Sequence, residues 1–171
     1  MSSLGLEEIA SNLILSTIKA NIAQALADVR TDYADPTVTI PVPATNSYFI
    51  YPYPMGYRPP FIQLIASAYR KMGNRGANHV NGQIDFDLSV IVEDTRGDNC
   101  MKQTYRYRAA LQKILDQTNL TNVTPSVKLV VLVNTADFSE LYLVKPVDGE
   151  SVKAFRREVN LKLLVEVYEN F

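Results

Sequence analysis

Asp85 and Asp87, in the stretch GQIDFDLSVIVE over residues 82–93, are the pair best suited by residue type to acid–base chemistry. Such a pair works when its surroundings push the two pKa values apart and a base, nucleophile or metal stands beside it. On a strand both project to one side of the pleat, with Gln83, Ser89 and Glu93. None of the needed partners accompanies them. They read as a solvated acidic stripe, Asp85, Asp87 and Glu93. The chain has one histidine, His79, and one cysteine, Cys100. Neither has a second group to complete a nucleophile–base pair or a metal cluster, so His79 reads as a surface-loop residue. Asp28, Asp32 and Asp35 lack the ligand alternation of a calcium loop and read as a solvated helix end and turn. The glycines of RKMGNRGANHVN (70–81) do not form a phosphate cradle, because a P-loop needs Gly-Lys-Ser/Thr opening a helix and a strand follows here. The residues therefore predict no catalytic, metal or cofactor site, and the chain is expected not to be an enzyme.

The elements that would position these residues belong to a single domain. A chain of 171 residues buries about 70 % of the surface its unfolded form exposes, enough for one self-sufficient core. A net charge of −1 argues against a general nucleic-acid coat, although local basic patches remain open. Glu7 and Glu8 near the start do not suit a signal peptide, and no apolar run is long enough to cross a membrane. A lone cysteine fits a reducing compartment, and the N-x-Thr sequons at Asn119 and Asn122 carry no meaning in a cytoplasm. A cytoplasmic site of synthesis and assembly is expected.

Leu6, Ile9, Leu13, Ile18, Ile22, Leu26 and Val29 recur at helical spacing and predict one long helix over 3–30. Composition then changes. Seven of the nine prolines and four of the ten tyrosines fall between Asp35 and Pro60, so an extended arm is expected there rather than a helix or central strand. Its rings, Tyr48, Phe49, Tyr51, Tyr53 and Tyr57, either cover the chain's own core or form a subunit contact, where tyrosine is enriched. Base stacking is the weaker option, since Arg58 is the only cation among the rings. FIQLIASAY (61–69) reads as a strand. A long hairpin loop, 70–81, carrying Arg70, Lys71, Arg75 and His79, joins it to the strand 82–93, and long loops in compact domains commonly bind something.

Asp98 or Asn99 is a plausible N-cap for a second helix of about 18 residues with an inner face of Tyr107, Leu111, Ile114, Leu115 and Thr118. Tyr105, Arg106, Tyr107 and Arg108 would give it an aromatic and basic outer flank. Following a break at 121–126, the run 127–133 predicts a strand buried on both faces, 134–139 a turn, 140–145 a further strand and 152–168 a long last one. The fold class is α+β, a mainly antiparallel sheet of about four to six strands with the long N-terminal helix and a second helix packed on it.

This order resembles the tail terminator and tail-completion (neck) proteins of tailed bacteriophages. The residues carrying the resemblance are the helix from Ser3 to Arg30, the hairpin around 70–81, the passage DFDLSVIVEDTRGDNCMKQTYRYRAALQKIL with its tyrosine–arginine helix, and the long last strand. The resemblance implies a structural virion protein, in the tail and neck, whose rings, usually homohexamers, cap the tail tube. Its implied partners are other copies of itself, the tail tube protein, a neck or head–tail connector protein and, where the tail has one, the sheath protein, with DNA only as passing cargo and no membrane. On this model Asp85, Asp87 and Glu93 would line the lumen and repel DNA, or else face solvent outside the ring. Arg70, Lys71, Arg75 and His79 would touch tube or sheath, and the tyrosine arm would touch a neighbouring subunit. A head-side connector or adaptor subunit is the alternative, and a small cytoplasmic ligand-binding domain a more distant one.

Overall fold

The computed structural model describes residues 5–51, 58–72, 82–122, 127–144 and 153–169. It has an α+β fold: α1 (Leu6–Asp32), β1 (Tyr48–Phe49), β2 (Phe61–Lys71), β3 (Gly82–Asp94), α2 (Gly97–Leu115), β4 (Thr118–Asn122), β5 (Val127–Phe138), β6 (Tyr142–Val144) and β7 (Ala154–Glu169). The seven strands form one sheet in the order β1-β2-β3-β7-β5-β4, with β6 pairing to β7 beyond the end of β5. All pairs are antiparallel except β1 with β2.

The last strand is the spine of the sheet. β7 pairs with β3 from Gly82 opposite Val167 to Asp94 opposite Phe155, and its other edge takes β5 and β6. Period-two patterning puts Ile84, Phe86, Leu88, Val90 and Val92 on the same face as Val159, Leu161, Leu163, Val165 and Val167. All ten are buried. Both helices lie on this face: α1 contributes Ile14, Ile18, Ile22 and Leu26, and α2 contributes Tyr107, Leu111 and Leu115, to the same apolar cluster. Phe49, Phe61 and Ile91 form a small second cluster.

Several boundaries differ from the sequence expectations. Arg70 and Lys71 belong to β2, not to the hairpin loop, because the antiparallel ladder continues to Lys71 opposite Gly82. The loop's remaining candidates, Arg75 and His79, lie outside the described residues. Thr118, expected on the inner face of the second helix, instead opens a strand, β4, which has no apolar alternation, pairs with β5 from Thr118 to Asn122 and so runs into the break expected at 121–126. β5 continues to Phe138 through an irregularity between Val133 and Thr135, where a turn was expected, and only one of its faces is fully buried. Arg96, not Asp98 or Asn99, occupies the N-cap of α2 and makes no side-chain cap bond. Asp98 sits in the first turn and pairs with Arg96 at 2.8 Å. Its carboxyl is held low chiefly by that hydrogen bond.

Cys100 is buried under this sheet. Its Sγ lies 3.5 Å from Phe155 O and 3.8 Å from Val92 O. Burial, with a further push from Asp94, raises the thiol to about 11. The reactive thiolate is thus scarce at neutral pH. Iodoacetamide at pH 8 is expected to leave the native protein unmodified while labelling the urea-unfolded chain within the same time; equal labelling rates would contradict this burial. A group raised in this direction favours the fold below its unfolded pKa, near 9 for this thiol, and that contribution is lost as pH rises toward 11.

Candidate functional site: an arm clamped on helix α2

Between α1 and β1 the chain carries Pro36, Pro41 and Pro43. Proline supplies no N–H and resists helix and ladder alike, so the carbonyls of this segment need donors from elsewhere. The helix before it ends at Tyr33, and Ala34 takes a left-handed φ of 48° that turns the chain away. Asp35 then accepts the Thr37 hydroxyl at 2.5 Å and the Thr37 backbone N–H at 3.1 Å, a local turn that starts the arm.

Helix α2 supplies the donors. Gln103, Arg106 and Tyr107 stand at i, i+3 and i+4 and so share one helix face. The Gln103 amide donates to Thr39 O at 3.0 Å and to an Asp94 carboxylate oxygen at 2.9 Å. Arg106 Nη1 donates to Asp35 O at 3.4 Å and Val38 O at 3.3 Å, and its Nη2 is 3.1 Å from the Asp35 carboxylate. The Tyr107 hydroxyl donates to Pro41 O. These three side-chain donors are 3 %, 2 % and 0 % exposed, and Val38 is fully buried beside them. The Tyr33 ring lies 5.6 Å from the Arg106 guanidinium.

Electrostatics suit the clamp. The Thr37 hydroxyl, Lys102 at 3.1 Å and the Thr37 N–H hold the Asp35 carboxyl well below the ordinary carboxylate range, so it stays charged opposite Arg106. Burial pushes the Tyr107 phenol up, so it remains a neutral O–H donor. Of the three acids read as a solvated helix end and turn, Asp35 is thus tied into α2 and Asp28 pairs with Lys113 at 2.7 Å.

From the clamp the arm reaches the sheet edge. Ser47 O accepts the Ile62 N–H at 2.9 Å, and β1 pairs in parallel with Ile62 and Gln63. Tyr48 packs on the main core with Lys19 over its ring, and Phe49 turns to the second cluster, edge-on to Phe61 at 6.1 Å. These two rings therefore cover the chain's own apolar surface. Tyr51 leans on Phe49 at 5.9 Å yet is 54 % exposed; Val42 and Ile50 are also exposed large apolar residues. Tyr53 and Tyr57 lie outside the described residues.

The acidic stripe is placed on one sheet face as expected, but it is not unopposed. Antiparallel register sets Asp87 across from Lys162 and Glu93 across from Arg156, and these pairs are bonded, the latter at 2.6 Å. Asp85 pairs with Arg70 at 2.5 Å. Lys162 is pushed up by its hydrogen bond to Asp87. No sequence spacing announces these pairs, because each joins residues from different strands. Ser89 likewise donates to Asn160 directly opposite. Among the described residues no group of three or more His, Cys, Asp or Glu is placed to hold a metal.

The expected aromatic–basic outer flank of α2 divides in two. Arg106 and Tyr107 are buried under the arm. Tyr105 faces the sheet's far end, where it meets Phe138 edge-on at 5.1 Å and the Arg157 guanidinium at 5.1 Å. The clamp itself escaped the sequence reading. Its signal was present in the i, i+3, i+4 spacing of three long donors opposite a proline-interrupted segment rich in unpaired carbonyls.

No protein-family model matches the chain, and no curated protein matches it. Among solved structures, a chain of the "Virion of native gene transfer agent (GTA) particle" aligns over 88 % of this chain and 94 % of its own length, with a TM-score of 0.44 and 14 % identity. At that score and identity, nothing about partners or activity passes from one chain to the other.

Proposed function

We propose that this chain is a structural subunit of a phage-type virion, and that it closes into a ring at the end of the tail tube as tail terminators do. The observation that carries the proposal is the arm: an ordered segment, fixed to the body by buried donors, that presents Val42, Ile50 and Tyr51 to solvent. Exposed apolar residues on a rigid mount suit a protein contact, where aromatic anchors dominate binding. The element order supports the same reading, since α1, the β3-to-α2 passage and the long β7 are among the features on which the family resemblance rests. A scaffold rather than catalytic role fits the candidate groups described above: the Asp85 and Asp87 carboxylates are engaged by Arg70 and Lys162, and the Cys100 thiol is buried and neutral. Paired charges on the β3–β7 face form neither a cationic track nor a bare negative field, which suits DNA as passing cargo.

Native mass measurement and electron microscopy of the purified chain, alone and with tail tubes, test the proposal. A closed ring seated on tube ends is expected. A strict monomer that never binds tubes overturns it, and binding to portal-bearing particles with bare tube tips assigns the chain to the head-side connector instead. Tyr51→Ser is expected to raise the concentration for half-assembly on the order of tenfold, the weight of one aromatic contact, without changing the monomer's circular dichroism.

A further inference from the structure

We propose that the open edge of β5, from Thr135 to Phe138, docks an extended segment of another protein, one that alternates basic and apolar side chains and joins the sheet as an added strand. β4 pairs with β5 only from Val127 to Val131. Beyond that point, Leu132–Phe138 has β7 on one side and, among the described residues, no strand on the other. Backbone N–H and C=O groups along such an edge are a template for a further strand. The irregularity between Val133 and Thr135 interrupts the near part of the edge and leaves Thr135–Phe138 in regular register against β7.

Two observations say what would fill this notch. The first is a change in burial along one face of one strand. Val127, Leu129 and Val131 are buried where β4 flanks them, whereas Val133, Ala136 and Phe138, on the same helix-side face, are only partly buried. Where β4 is present, its Leu120 stands opposite Leu129 and joins the core. An added strand would bring apolar side chains to Ala136 and Phe138 in the same way.

The second is charge. On the outer face Asp85, Asp87 and Glu93 each hold a cation. Asp137 on the open edge and Glu158 on β7 beside it share that face, yet among the described residues their carboxylates have no hydrogen-bond or ion-pair partner. Lys162 feels the Asp137 charge but is bonded to Asp87. A second copy offering the same stretch in antiparallel register would set its Asp137 opposite or diagonal to this one, an unfavourable like-charge pairing. A segment with Lys or Arg at alternate positions meets Asp137 and Glu158 on one side and covers Ala136 and Phe138 on the other. The β5 edge lies across the sheet from β1, so such a segment can dock whether or not copies of this chain close into a ring.

The probe is the synthetic peptide acetyl-Lys-Val-Lys-Val-Lys-Val-Lys-amide, titrated into the full chain. Amide exchange at edge-facing positions within 132–138 is expected to slow on the order of tenfold, with β2 and β3 amides unchanged. The same peptide N-methylated throughout, and its counterpart with Glu in place of Lys, should each bind on the order of tenfold more weakly. Asp137 is exposed, so its variants leave the core alone. Asp137→Asn should weaken the preference for the Lys peptide over the Glu peptide, and Asp137→Lys should reverse it. Equal binding of the N-methylated peptide, protection confined to residues outside 132–138, or no binding at about 1 mM peptide overturns the edge as a docking site. Equal binding of the Lys and Glu peptides overturns the basic partner. Protection of 132–138 that grows with protein concentration in the absence of peptide gives the edge to a second copy and overturns it as well.

Discussion

Arg106→Ala is expected to lower the unfolding free energy by about 3 kcal/mol, the largest loss from any single polar side chain in the described structure. The guanidinium is 2 % exposed and donates to the carbonyls of Asp35 and Val38. Removing it strands at least the buried Val38 carbonyl, and each buried acceptor left dry costs about 1–3 kcal/mol. Loss of the packed aliphatic stem adds to that. The Asp35 carboxylate contributes little to the figure, since water reaches it and Thr37 and Lys102 remain as donors. Urea unfolding checks the value, and Arg106→Met should recover part of it by restoring volume without donors. A loss below about 1 kcal/mol for Arg106→Ala would mean that the arm finds equivalent donors when α2 withdraws its own.

Phe86→Ala is expected to cost about 3–5 kcal/mol, a large share of the 5–15 kcal/mol typical of a folded domain. Phe86 is 1 % exposed at the middle of β3, with Ala66 of β2 on one side and Leu163 of β7 on the other. Paired strands on both sides and helices above leave little room to collapse into the cavity. Phe86→Leu should cost less than half as much, because most of the volume is kept. Asp87→Asn, one residue along on the other face, should produce only a small loss, since its ion pair with Lys162 is largely solvent-exposed. Chemical denaturation of the three variants tests the contrast. Comparable losses for Phe86→Ala and Asp87→Asn would mean that the two faces of the sheet are not as unequally buried as the structure has them.

The acids and the clamp were legible to different degrees. Alternation alone put Asp85, Asp87 and Glu93 on the face opposite Phe86, and they are there. Their neutralisation was not legible, because Lys162 and Arg156 lie more than sixty residues further along the chain and face them only once β7 has entered the sheet beside β3. The arm was legible as extended, because proline excludes the alternatives wherever it stands. What holds the arm was not, since Arg106 and Tyr107 lie in a helix whose flank, read alone, has no fixed outside.

The sequence by itself determined the two helices and the cores of β2, β3 and β7, which face of β3 and β7 is apolar, and where regular structure must yield to an arm. Those outcomes follow from side-chain period and from proline's missing N–H, both properties of neighbours along the chain. Only the tertiary structure decided the strand order β2-β3-β7-β5, the ion pairs across β3 and β7, the burial of Arg106 and the bond from the Tyr107 hydroxyl to the arm. β7 takes the centre although it comes last, because its alternating apolar face can be covered only where both of its edges are paired under the helices. Polar groups carry no period that names their partners. Asp85 and Asp87, which by type alone suggest acid–base chemistry, become cross-strand ion pairs, and the tyrosine–arginine helix, which suggests a solvent flank, becomes the mount on which the arm is set.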